Sequence, residues 1–170
     1  FQRLVSFTDP WADPLGTGYQ LSNALMAFGR GEWFGTGLGH SVQKLSYLPE
    51  AHTDFMLAVL GEEFGFMGIS LVSALSFMMV ACCIRIGHRA LQHQYLRAGY
   101  LAYGISIIFL LQILVNAGMN MGLLPTKGLT LPFISYGGSS LIMCAVMISL
   151  ILKIDATTQL KNPTREESSF

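Results

Sequence analysis

The sequence has 170 residues, a formal net charge of zero and only 12% charged residues against 52% apolar ones. Its mean hydropathy is +0.50. A soluble domain carries about a quarter charged residues, so a chain this poor in charge cannot cover a water-facing surface, and the absence of net positive charge argues against a nucleic-acid partner. A bilayer accounts for both values when the apolar residues come in long runs.

In chain order, residues 1–53 read as an extracytoplasmic loop with short helices. Asp9-Pro10 and Asp13-Pro14 are turn signals, and glycines recur from Gly16 to Gly39. Between them Tyr19 to Phe28 predicts a short helix with Leu21, Leu25 and Phe28 on one side. Trp11, Trp33, Phe34 and Tyr47 suit the membrane–water boundary. Gly35-Thr36-Gly37-Leu38-Gly39 lacks the spacing and the βαβ setting of a nucleotide-binding loop and reads as a turn.

Three uncharged runs follow: Phe64 to Ile84, Ala98 to Thr126 and Gly128 to Leu152. Each meets the roughly 20 residues that one crossing needs, and none leaves a polar face of the kind a soluble helix shows. The predicted layout is a transmembrane helix over 54–85, a cytoplasmic loop over 86–97, a second helix over 98–120, an outer loop over 121–132, a third helix over 133–153 and a cytoplasmic tail over 154–170. Orientation comes from the cations. Arg85, His88, Arg89, His93 and Arg97 sit between the first two spans, Lys153, Lys161 and Arg165 end the chain, and Lys127 alone occupies the other connection. The cation-rich side is cytoplasmic. The fold class is therefore an all-α integral membrane protein, read as the C-terminal part of a polytopic helical bundle with three transmembrane helices and an extracytoplasmic loop region. Cys82, Cys83 and Cys144 fall inside spans and read as small apolar packing residues, not as a disulfide framework or a metal site.

Three stretches carry groups capable of chemistry. Pro49-Glu50-Ala51-His52-Thr53-Asp54-Phe55 places two carboxylates and an imidazole at the mouth of the first span. Followed down a helix, Asp54 heads a line of small residues, Ala58, Gly61, Gly65 and Gly68, which lets helices approach closely and puts Asp54 on the packed face. Glu62 lies off that line, and Glu63 falls opposite to it. An ionisable group at such a place is costly and reads as functional; an N-terminal charge favoured by the helix dipole is the alternative. Glu50, His52 and Asp54 also offer oxygen and imidazole ligands to a divalent cation. In the second stretch, Leu124 to Pro132, prolines and a glycine surround Lys127, a single cation suited either to a pyrophosphate or to snorkelling at the interface. The third, Phe133 to Ser140, brings Ser135, Tyr136, Gly137, Gly138 and Ser139 to the entrance of the last span, as a donor-lined turn or as simple helix packing. Asn116 and Asn120 share one face of the second span and are candidates to bridge helices.

These stretches together resemble the SEDS family (shape, elongation, division and sporulation). The resemblance rests on Gly37-Leu38-Gly39 with Ser41-Val42-Gln43-Lys44-Leu45, on Tyr47 to Phe55, on Gly61-Glu62-Glu63 with Gly65, on Leu124 to Pro132 and on Ile134 to Ser140. It covers nearly the whole chain in order. Gln43-Lys44-Leu45 and the Leu124 to Pro132 stretch are nearer the division branch than the elongation branch, and Ser46 stands where some relatives have Glu. The resemblance implies ten transmembrane helices in the whole protein, of which this chain would hold the large outer loop after the seventh and the last three. It implies a peptidoglycan glycosyltransferase that polymerises lipid II into glycan strands at the division septum of the bacterial plasma membrane, working with a class B penicillin-binding transpeptidase and other division proteins. By the same resemblance Asp54 is the catalytic residue. Lys127 is also important to the family. The substrate-binding candidates are Lys127, Glu50, His52, Lys44, Thr126, Ser135, Tyr136, Gly137, Gly138 and Ser139, and Asp54 with Glu50 would hold any divalent cation, Mg or Mn. This stretch alone is not expected to be active. Flipping of lipid II and a scaffold role in the division complex are the competing expectations. Flipping would favour charges lining a route through the bilayer, whereas here they collect at the outer face, which disfavours it.

Overall fold

The computed structural model describes residues 19–37, 56–124 and 130–160. It contains four helices: α1 (Tyr19–Gly31), α2 (Met56–Gln92), α3 (Leu96–Asn120) and α4 (Gly138–Leu160). The last three are long and apolar enough to cross a membrane. With no strand among the described residues, this is the helical bundle of a multi-pass membrane protein.

Helices α2 and α3 form an antiparallel pair and share the largest interface. Helix α1 lies against the N-terminal part of α2, and α4 touches both spans more lightly. The core between the spans contains Val80, Cys83, Ile105, Phe109, Ile113, Cys144 and Ile151. Phe109 is its largest fully buried side chain. Cys83 and Cys144 are buried and free, as packing residues should be, whereas Cys82 is exposed on the outer side of α2. Leu71, Leu75, Phe77 and Met78 on α2, Ile107, Ile108 and Leu111 on α3, and Ile142 and Met143 on α4 remain uncovered. In a bilayer these apolar faces meet lipid or further helices at no hydrophobic cost.

The spans run where the uncharged runs place them, but their ends differ. The loop expected over 86–97 is mostly helix, because α2 continues to Gln92 and α3 resumes at Leu96. Arg85, Arg89 and Gln92 are good helix formers, so a charged stretch need not end a helix that leaves the membrane. Three residues make the turn. Gln94 adopts φ 64, its N–H donates to the Leu91 carbonyl at 3.0 Å and the Tyr95 N–H to Ala90 at 3.0 Å, a Schellman cap with Gln in the position usually held by Gly. Helix α3 ends in the same motif with Gly122 at φ 71. There the Gly122 N–H reaches Met119 O at 3.1 Å and the Leu123 N–H reaches Gly118 O at 2.7 Å. The last span starts at Gly138, five residues later than expected, and continues to Leu160. Residues 133–137 form a turn instead, with Phe133 at φ 62. Helix α1 is longer than the predicted Tyr19–Phe28, running through Gly29 to Gly31.

Helix α2 is itself interrupted. Gly65 has φ 66 and ψ −161, a region open essentially to glycine alone. The interruption lies against the C-terminal end of α1.

Candidate functional site

Of the residues singled out in the sequence, Lys44, Glu50, His52, Asp54, Thr126 and Lys127 lie outside the described residues. Ser135, Tyr136, Gly137, Gly138, Ser139, Asn116 and Asn120 lie within them, as does the helical platform on either side of both stretches.

Helix α2 begins at Met56, two residues after Asp54. Met56 lines a cleft of about 400 Å³ together with Phe133, Ile134, Ser135, Tyr136 and Leu141. The turn before α4, which is the third chemistry-bearing stretch, therefore packs beside the start of α2 at one end of the bundle. The cleft is mainly apolar, with a few polar groups at its edge, as ligand clefts commonly are. Ser135 is buried, and its Oγ accepts the Leu131 N–H at 3.0 Å while its own N–H donates to the Leu131 carbonyl at 3.2 Å. Its first role is to build the turn. Tyr136 projects outward with 76% of its surface exposed. Ser139 is exposed. Gly138 has no neighbour that a side chain would strike, so packing does not explain it. The Gly137 carbonyl accepts the Leu141 N–H at 2.9 Å and opens α4. The hydroxyl pair that closes this turn, Thr130 Oγ1 and Ser140 Oγ at 2.8 Å, was not singled out in the sequence; both are small polar residues spaced ten apart across a proline, with no periodic signal.

The small-residue line below Asp54 is packed as expected at Ala58, Gly61 and Gly65, all buried. Its partner is α1. A side chain at Gly61 would meet the Phe28 ring at 2.8 Å, and one at Gly31 would overlap the Gly61 carbonyl. Gly68 departs from the expectation: a side chain there would strike Phe64 of its own helix, because the break at Gly65 shifts the register.

Glu62 and Glu63 are both buried, at 0% and 8% exposure. On an ideal helix Glu62 lies off the small-residue line and Glu63 opposite to it, so spacing places neither on the packed face. The interruption and the cover from α1 bury both. Arg30 Nη1 of α1 stands 3.8 Å from Glu62 Oε1, and one Glu63 oxygen makes no hydrogen bond. Among the described residues no group of three or more His, Cys, Asp and Glu gathers to hold a metal. Asn120 and Asn116 are both fully buried on one face of α3. The Asn120 amide donates to the Asn116 carbonyl at 2.9 Å and to its side-chain oxygen at 3.2 Å.

The FtsW/RodA/SpoVE family model, described as a cell cycle protein, matches residues 1–160. The chain belongs to this family. A probable peptidoglycan glycosyltransferase FtsW of Acinetobacter baylyi is 86% identical over 168 residues, 99% of this chain and 42% of that protein. The protein of the same description from Aliivibrio salmonicida is 58% identical over 154 residues, 91% of this chain and 38% of that one. A chain of a peptidoglycan synthase complex, solved in a study of how polymerization and crosslinking are coordinated, superposes with a TM-score of 0.70 at 27% identity, covering 92% of this chain and 41% of that one. The sequence thus spans about two-fifths of the length of the family members it matches. The FtsW/RodA/SpoVE assignment agrees with the family read from the motifs.

Proposed function

We propose that the protein to which this chain belongs is a peptidoglycan glycosyltransferase that polymerises lipid II during septal cell-wall synthesis. The observation that supports this reading most is its 86% identity to a probable glycosyltransferase FtsW along nearly all of the chain. The placement of the cleft supports it too, since Met56 joins the cleft to the segment bearing Asp54.

Extension of a glycan chain needs a base to take the proton of an acceptor sugar hydroxyl and a positive group to stabilise the departing pyrophosphate. Asp54 is the base in this reading, beside Glu50 and His52. Lys127, the sole cation of its connection, stabilises the pyrophosphate with Thr126 beside it. Lys44 adds a second cation on the same side. Ser135 and Tyr136 border the cleft, and the glycine pair Gly137-Gly138 leaves backbone open to substrate. Both lipid-linked sugars lie at the outer bilayer face, where this orientation places the two stretches. The oxygen donors Asp54 and Glu50 suit a hard divalent cation, Mg or Mn, which would supply further charge at the pyrophosphate. The partner is a class B penicillin-binding transpeptidase, in keeping with a structural relative that belongs to a synthase complex.

The test is polymerisation of labelled lipid II by the purified full-length protein with its partner, the transpeptidase being blocked. The reading expects glycan strands of many disaccharides. Transfer of lipid II across vesicles without polymer would favour a flippase, and neither activity would favour a scaffold.

A further inference from the structure

In an unbroken α2 the Phe66 N–H would donate to the Glu62 carbonyl and the Met67 N–H to that of Glu63. Neither bond forms. The Phe66 N–H donates to Glu32 O at 2.9 Å and the Met67 N–H to Trp33 O at 3.3 Å, both in the segment that ends α1. The freed Glu62 carbonyl accepts the Thr36 N–H at 2.9 Å and the Thr36 hydroxyl at 3.0 Å, and the Glu63 carbonyl accepts the Gly37 N–H at 3.1 Å. The exchange is reciprocal. Had α1 continued, Thr36 and Gly37 would have donated to Glu32 and Trp33, the carbonyls that Phe66 and Met67 now occupy. Two interrupted helices trade partners, and these backbone groups are satisfied across the joint.

Gly35 and Gly65 face each other at its centre with φ 78 and φ 66. A Cβ on Gly65 would lie 2.5 Å from Gly35 N and 2.7 Å from Phe34 N. The Trp33 and Phe66 rings meet edge to face at 5.4 Å. The fully buried Glu62 carboxylate lies at the joint and holds Arg30 of α1 at 3.8 Å.

Adjacent buried carboxylates in a span are expensive, and a straight apolar helix would have been cheaper. What the joint provides is direction. Gly65 lies nine residues into α2, about 13 Å at 1.5 Å per residue. It therefore sets the angle of the N-terminal piece of α2, to which Asp54 is covalently joined. We infer that this joint is a positioning device for glycan polymerisation and that Glu62, through Arg30 and the traded bonds, is its principal positioning residue. The inference rests on the polymerase reading with Asp54 as base. Glu62 touches no reacting atom; it fixes the angle of the arm that does.

The experiment compares Glu62→Gln, Thr36→Val, Arg30→Lys and Arg30→Gln in the full-length protein with its partner, measuring kcat and KM for labelled lipid II and the melting temperature in detergent. A base displaced by about 1 Å loses about a hundredfold in rate. Glu62→Gln is therefore expected to lower kcat by about ten- to a hundredfold, with KM and melting temperature close to the parent's. Thr36→Val, which removes only the hydroxyl bond to Glu62 O, should lower kcat severalfold, and Arg30→Lys should retain more activity than Arg30→Gln. Parental kcat in both Glu62→Gln and Thr36→Val would overturn the inference, as would a loss that follows melting temperature and protein level in every variant. Deuterium exchange over residues 32–37 and 62–67 keeps the joint testable apart from the enzyme. Slow exchange in the parent and faster exchange in Glu62→Gln is expected; identical exchange contradicts the role of the carboxylate. A parent that makes no polymer would defeat the polymerase reading instead, and activity in Asp54→Asn would defeat Asp54 as the base and, with it, the positioning role argued from it.

Discussion

Lys127 is the single charge in the connection between the last two spans, and its two readings differ in what its loss would do. As the partner of a pyrophosphate, its replacement by Ala should cut polymerisation by about tenfold or more while protein level stays constant, since one charge-assisted hydrogen bond is worth roughly 1.5–3 kcal/mol. As a snorkelling anchor, the same change should leave polymerisation intact. Gly65 makes a sharper residue-scale case. The small-residue line marks it for close helix packing, and packing alone would tolerate Ala better than Leu. Its φ of 66 and ψ of −161 add a backbone cost of about 1–3 kcal/mol for any side chain. Both Gly65→Ala and Gly65→Leu should therefore destabilise the full-length protein, with Leu the worse of the two, and thermal unfolding in detergent measures the difference. A Gly65→Ala protein that melts with the parent would mean that the interruption is not required. The sequence marks Gly65 but not this reason, because positive φ leaves no periodic trace.

At the scale of elements, the spans were legible and their ends were not. Runs free of charge locate α2, α3 and α4 because the bilayer penalises every ionised group between its faces. Nothing comparable marks where a helix stops outside the membrane. Helix α2 passes Arg85 and Arg89 and stops at a cap built on Gln94, a residue with no strong preference for positive φ. The start of α4 moved because Phe133 and the Ser135 hydroxyl build a turn that no spacing rule anticipates. The burial of Glu62 and Glu63 was hidden for a similar reason: α1 covers them, and contacts between distant segments do not show in a local pattern. The turn at His93 and Gln94 is exposed, so it offers a direct check of orientation. With Cys82 replaced by Ser, a Cys at His93 should resist an impermeant thiol reagent applied to intact cells, since the cations beside it favour the cytoplasm. Labelling from outside would invert the topology and move all three chemistry-bearing stretches to the wrong face for a lipid-linked sugar.

For the whole molecule, the arrangement is a hairpin of two spans with a third beside it and a short helix braced against the first by exchanged backbone bonds. It brings the start of α2 and the turn before α4 to one end and one cleft. The uncovered apolar faces along all three spans leave room for lipid or further helices. The family was legible because its motifs are strung in order along the chain. Asp54 lies outside the described residues, two before the start of α2, and the role proposed for it rests on chemistry: a carboxylate with Glu50 and His52 within four residues. Asp54→Asn keeps the size of the side chain and cannot accept a proton. The decisive measurement is lipid II polymerisation by the purified full-length Asp54→Asn protein with the proposed transpeptidase partner blocked, alongside binding of that partner as a control for folding. The account predicts no glycan product, a loss of at least about a hundredfold, with partner binding unchanged; near-normal product from Asp54→Asn would contradict it.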